Sequence, residues 1–88
     1  MSTVEQIVKN EPLEEIVTVF ALLKPHRQLD MLIRRHNREL IQHGELEKTY
    51  KNLFEAGILT GGEKGLCAKG PNWKAPKFVL EKRYTESS

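Results

Sequence analysis

The chain has 88 residues, 39% hydrophobic and 30% charged, with a formal net charge of +2, a composition that suits one soluble domain with a small core. Its single cysteine, Cys67, excludes an internal disulfide, and the longest apolar run, Ile16 to Leu23, falls well short of the roughly 20 residues that span a bilayer. The start Met1-Ser-Thr-Val-Glu5 lacks the basic and apolar segments of a secretory signal, so a cytoplasmic protein is expected.

The distribution of charge says more than its total. Residues 1–23 carry one Lys against four Glu, and residues 24–43 carry five Lys or Arg against two acids. Residues 44–59 have two Lys against three Glu, and residues 60–88 have six Lys or Arg against three Glu. Two basic segments therefore flank a nearly neutral one, a pattern that suits either a phosphate-facing surface or an acidic protein partner.

Ser2-Thr-Val-Glu5 has the Ser-x-x-Glu form of a capping box and opens a short helical segment to about Lys9. Pro12 lacks an amide hydrogen and belongs at the start of a new helix, expected to run to about Lys24. Leu13, Ile16, Val17, Phe20 and Leu23 form its main stripe. Val19, Ala21 and Leu22 widen it, and Glu14, Glu15 and Thr18 keep a polar side. A helix apolar around most of its circumference is the centre of a small domain.

Pro25 breaks the chain, and the next helix is expected from about His26 to Gln42. Leu29, Leu32, Ile33, His36 and Leu40 share one face, where His36 reads as a structural residue. Arg27, Arg34 and Arg38 gather around Met31 on the opposite face, with Arg35 on its flank. Such a stripe is either a solvated surface or a platform for phosphate or carboxylate groups.

Gln42-His43-Gly44 turns the chain into a further helix, with Leu46, Tyr50, Leu53 and Phe54 at i, i+4, i+7 and i+8. Its outward face presents Lys48, Lys51, Asn52 and Glu55, with Glu45 and Thr49 beside them. Gly57 supplies the left-handed residue that ends a helix. Leu66–Lys69 and Phe78–Lys82 read as two short strands, with a basic tip between them from Lys69 to Lys77. Cys67 reads as a small, half-buried strand residue. The expected core comprises Phe20, Leu23, Leu29, Ile33, Leu40, Leu46, Tyr50, Leu53, Phe54 and Ile58.

Catalytic and metal chemistry find no footing in this pattern. His26, His36 and His43 are not at ligand spacing, and no nucleophile motif is present. Gly61-Gly-Glu-Lys-Gly65 lacks the spacing of a phosphate loop and reads as a turn. The chain is expected to be no enzyme and to need no cofactor or metal.

A helix ending in Glu-Ala-Gly-Ile-Leu (Glu55 to Leu59), followed by a hairpin with a basic tip, resembles the second half of a winged helix-turn-helix domain. The resemblance implies a mainly α fold with a small antiparallel β-hairpin: a three-helix domain spanning 1–88, with residues 1–11 as an N-terminal extension and 83–88 as a frayed tail. It also implies that the third helix enters the major groove of double-stranded DNA while the wing touches the backbone. Carried onto this chain, the reading residues would be Lys48, Thr49, Lys51 and Asn52, and the wing residues Lys69, Asn72, Trp73, Lys74 and Lys77. The function implied is that of a small DNA-binding regulator.

Winged helices also serve as protein-binding modules. The alternative is therefore a protein that blocks a partner enzyme, such as an antitoxin or a toxin-immunity protein, with Arg27, Met31, Arg34 and Arg38 as the contact. Either role leaves a homodimer open. Trp73, the only tryptophan, lies between Pro71 and Pro76. It either folds back on the hairpin or on the two helices after Pro25, or it anchors a partner.

Overall fold

Pro12, Pro25 and Pro76 each stand immediately before a helix in the computed structural model, which describes residues 3–81. Their backbones are extended, with φ between −63° and −60°. Their carbonyls accept the first amides of the helix: Glu15 and Ile16 bond Pro12, Leu29 bonds Pro25, and Val79 and Leu80 bond Pro76, all at 3.0–3.1 Å. Proline has no amide to leave unsatisfied at this position, and its fixed φ suits the entry. The helices are α1 (Thr3–Asn10), α2 (Leu13–Phe20), α3 (His26–Asn37), α4 (Glu45–Glu55) and the single turn α5 (Lys77–Leu80). The hairpin comprises β1 (Leu59–Gly61) and β2 (Cys67–Lys69), antiparallel, pairing Leu59 with Lys69 and Gly61 with Cys67. The architecture is mainly helical with one small antiparallel hairpin, as expected.

The core forms where α2 packs against α4 and α1 covers α2 and α3. Ile16 and Val17 from α2, Leu29 and Ile33 from α3, and Leu46 and Leu53 from α4 meet Leu59 and Phe78 there. Ile7 and Val8 of α1 are also buried, so the N-terminal segment is part of the core. Asn37 Nδ2 donates to the Val8 carbonyl at 3.3 Å, and His36 Nδ1 stands 3.6 Å from Glu5, tying the end of α3 to α1. Ser2, the expected cap of α1, lies outside the described residues, as do residues 82–88.

Several expectations need correction. The second strand is not Phe78–Lys82: residues 77–80 are helical, started by Pro76, and Lys82 lies outside the described residues. The hairpin instead closes through Gly62–Leu66. Its turn places Lys64 and Gly65 at φ 56° and 80°, and Gly62 bonds the Leu66 carbonyl. The helix from Pro12 stops at Phe20 because residues 21–24 tighten into a turn. Leu23 leaves the core and is 65% exposed. The helix from Pro25 stops at Asn37, followed by a 3-10 stretch, Arg38–Gly44, that bends at Ile41, Gln42 and His43. That bend buries Ile41 in the core and leaves Leu40 only half-buried. On α4, Phe54 is 41% exposed while Leu53 takes the core position. Thr18 is buried rather than on a polar face, its hydroxyl bonded to the Glu14 carbonyl at 2.6 Å.

Gly57 ends α4 as expected, at φ 77°. Ile58 N–H bonds the Leu53 carbonyl at 2.9 Å and Gly57 N–H bonds Phe54 at 3.1 Å, the paired bonds of a Schellman cap. Gly70 crosses directly over this cap and bonds the Ile58 carbonyl at 2.8 Å. A Cβ on Gly70 would overlap the Gly57 carbonyl, so the crossing is open only to glycine.

Candidate interaction surfaces

The segment after β2 is anchored to the helices and does not form the hairpin tip. At the end of α2, Leu22 N–H bonds the Val19 carbonyl, which leaves the Thr18 carbonyl without the helical partner four residues on. Trp73 Nε1 donates to that carbonyl at 3.0 Å, and Cys67 N–H bonds the Ala21 carbonyl at 2.9 Å. Strand and indole together complete the C-terminal end of the core helix. Trp73 therefore folds back, with its indole nitrogen bonded to α2 and its ring under Lys69 of the hairpin. Lys69 Nζ stands 4.3 Å above the indole centroid, a cation–π contact that holds this lysine over the ring. Asn72 Nδ2 donates to the Ala56 carbonyl at 2.8 Å and so caps α4. Lys74 and Lys77 line a groove of about 400 Å³ whose other walls include Glu14, Glu15, Leu53 and Ile58. Glu15 Oε1 is buried there with no hydrogen-bond partner among the described residues. The tip of the hairpin carries Glu63 and Lys64 instead of the lysine group expected of it.

On α4, Lys48, Lys51 and Asn52 are exposed as the spacing requires. Lys48 Nζ lies 3.7 Å from Glu45 Oε1. Thr49 is not part of this surface: it is buried, and its hydroxyl donates to the Glu45 carbonyl at 2.8 Å. Tyr50, behind it, meets His26 edge-on with ring centroids 4.8 Å apart. The Tyr50 hydroxyl is buried with no hydrogen-bond partner among the described residues. Its pKa is raised by burial and, secondarily, by the charge Cys67 would carry. Burial also raises the Cys67 thiol.

The face of α3 is the most concentrated cationic surface. Arg27, Arg34 and Arg38 are exposed as expected, and Met31 among them is 65% exposed. Arg34 bonds Asp30 through Nε at 3.3 Å and Nη2 at 3.1 Å. Among the described residues no ion pair engages Arg27, Arg35, Arg38 or Lys24. Two concavities adjoin this face. A polar cleft of about 570 Å³ opens where α3 ends, with Arg34, Arg35, Asn37, Arg38 and Gln42 on its walls. A notch of about 210 Å³ lies between Lys24, Gln28, Met31, Leu32 and Arg35. The notch and the cleft share Arg35. Periodicity places the arginines but not these concavities, because the cleft depends on the chain leaving the helix at Asn37, where φ is −160° and ψ 68°.

Among the described residues no group of three or more His, Cys, Asp or Glu is placed to hold a metal, and no helix is long and apolar enough to cross a membrane. No protein-family model, curated protein or solved structure matches the chain.

Proposed function

We propose that this chain is a small non-enzymatic binding module of winged-helix type whose working surface is the cationic face of α3, and that it holds an acidic protein partner. The observation that carries the reading is the cluster of exposed arginines around an exposed methionine, of which, among the described residues, only Arg34 forms an ion pair, with Asp30. Arginine suits carboxylates because its planar fork donates two parallel hydrogen bonds. Met31 separates a protein partner from a phosphate backbone. An apolar side chain gains from burial against another apolar group and gains nothing from phosphate. Blocking a partner enzyme, as an antitoxin or immunity protein does, is a role that suits this surface.

A second reading, double-stranded DNA held by α4 in the manner of a transcriptional regulator, is favoured by Lys51 and Asn52. Both project from the helix that directly precedes the hairpin. Against it, Glu45, Glu47 and Glu55 share that exposed surface and would meet phosphates unfavourably.

The test is affinity capture from a native extract, with and without nuclease, using the parent and a variant with Arg27, Arg34 and Arg38 all replaced by Gln. Melting of the variant should match the parent closely, because solvated surface charges contribute little to stability. Its nuclease-resistant protein partner should be lost. A partner retained by the variant but removed by nuclease, and lost from a Lys51→Ala, Asn52→Ala variant, would place the function on α4 and DNA.

A further inference from the structure

Resting on the α3 reading, we infer that the partner presents a mixed motif, an apolar side chain with carboxylates within a few residues of it. The apolar group enters the Met31 notch while the carboxylates enter the arginine cleft. At about 210 Å³ the notch is smaller than the roughly 300 Å³ at which small-molecule pockets begin. It suits one side chain. Met31 and Leu32 supply its apolar wall, and the unbranched, polarisable thioether of Met31 adapts to the shape of what it meets. Lys24 and Arg35 bound the notch, so an apolar group entering it lies among positive charges, and its neighbours on the partner gain by being acidic.

The cleft has the opposite character. Its walls are almost all polar or charged, with Glu39 the acid among them, whereas sites for small organic ligands are mostly apolar. Arg34 is partly satisfied by Asp30, which leaves Arg35 and Arg38 with their guanidinium groups available. Asn37 already donates to Val8, so its place in the wall is fixed by α1. Arg35 borders both concavities. It can hold a carboxylate beside the apolar group, which sets the spacing of the motif at neighbouring residues rather than at distant patches. Phosphate alone would fill the cleft and leave the notch empty.

Fluorescence anisotropy with two short labelled peptides tests this. One contains Glu-Glu-Leu-Glu-Glu and the other Glu-Glu-Ser-Glu-Glu; a labelled DNA duplex is the third probe. The leucine peptide should bind about tenfold more tightly than the serine peptide. Met31→Glu should lower the affinity for the leucine peptide by about tenfold, and Arg35→Gln should do the same for both peptides. Both residues are exposed, so the variants should melt like the parent. Arg35→Lys should recover only part of the loss, because it restores charge without the fork. Equal binding of the two peptides would overturn the mixed motif and leave an acidic partner on α3 standing. Binding of neither peptide, with the duplex bound through Lys51 and Asn52, would overturn the motif and the α3 reading together. Binding of none of the three probes would overturn the motif, and the extract capture would then judge the α3 surface separately.

Discussion

Replacing Trp73 by Phe isolates one hydrogen bond in this fold. Phenylalanine keeps a planar ring against the core but has no donor for the Thr18 carbonyl, which Nε1 meets at 3.0 Å. That carbonyl has no helical substitute, because Leu22 N–H is engaged by Val19. An unpaired buried acceptor costs about 1–3 kcal/mol. Trp73 is half-buried rather than fully enclosed, so some hydration is open to the carbonyl and about 1–2 kcal/mol is expected. Trp73→Ala also removes the apolar ring and the seat of Lys69. Its cost should be about 3 kcal/mol, the lower end for buried tryptophan truncations. In a domain of this size that lowers the melting temperature by about 12 °C or more. Urea unfolding followed by far-ultraviolet circular dichroism measures all three proteins without needing tryptophan as the probe. Emission of the parent should be blue-shifted relative to free tryptophan before any partner is added. A Trp73→Phe protein within about 0.3 kcal/mol of the parent would refute the argument that the indole completes the end of α2.

Three further outcomes follow from the packing. Gly70→Ala should cost about 3 kcal/mol, the upper end for overpacking, since the new Cβ would meet backbone of Gly57 and Ile58 rather than a movable side chain; a parent-like urea midpoint would contradict the close crossing. Leu53→Ala should cost about 2–5 kcal/mol and Phe54→Ala less than about 1 kcal/mol, as their exposures of 5% and 41% require; the reverse order would mean that α4 is rotated. Burial raises the Cys67 and Tyr50 pKa values, so above about pH 8.5 for the thiol and about pH 10 for the phenol the unfolded chain binds fewer protons than the folded one. Stability should therefore be full below those values and fall as pH rises, which urea midpoints between about pH 8 and about pH 11 would measure. Cys67→Ala should flatten the first part of the fall, and an unchanged slope would remove the thiol from the account.

What was legible in the sequence was mostly what nearest neighbours decide. The Schellman cap at Gly57 follows from glycine's freedom at positive φ, and the face of α3 follows from spacing alone. Boundaries were less legible because they depend on distant groups. Residues 21–23 continue the apolar run of α2, yet the chain tightens there because Cys67 and Trp73 take up the carbonyls of Ala21 and Thr18 from far along the sequence. Thr49 looked available to a partner because its neighbours on α4 are polar. Its hydroxyl satisfies itself on the Glu45 carbonyl, so the residue can be buried at little cost.

The misplaced strand had a different cause, and it bears directly on function. Phe78, Val79 and Leu80 have the aromatic and branched character of a strand, but Pro76 precedes a helix here as Pro12 and Pro25 do. With Pro76 read in the same way, the strand partner of Cys67–Lys69 has to come earlier, from Leu59–Gly61. The lysines of residues 69–77 then leave the hairpin tip. Lys69 stands over Trp73, Asn72 caps α4, and Lys74 and Lys77 share a groove with Glu14 and Glu15. Through Trp73 and Asn72 this segment makes contacts that close the domain. Among the described residues the arginines of α3 form no ion pair apart from that of Arg34 with Asp30. Exposed charge without an internal partner adds little to folding stability, and so the proposed external partner is assigned to α3.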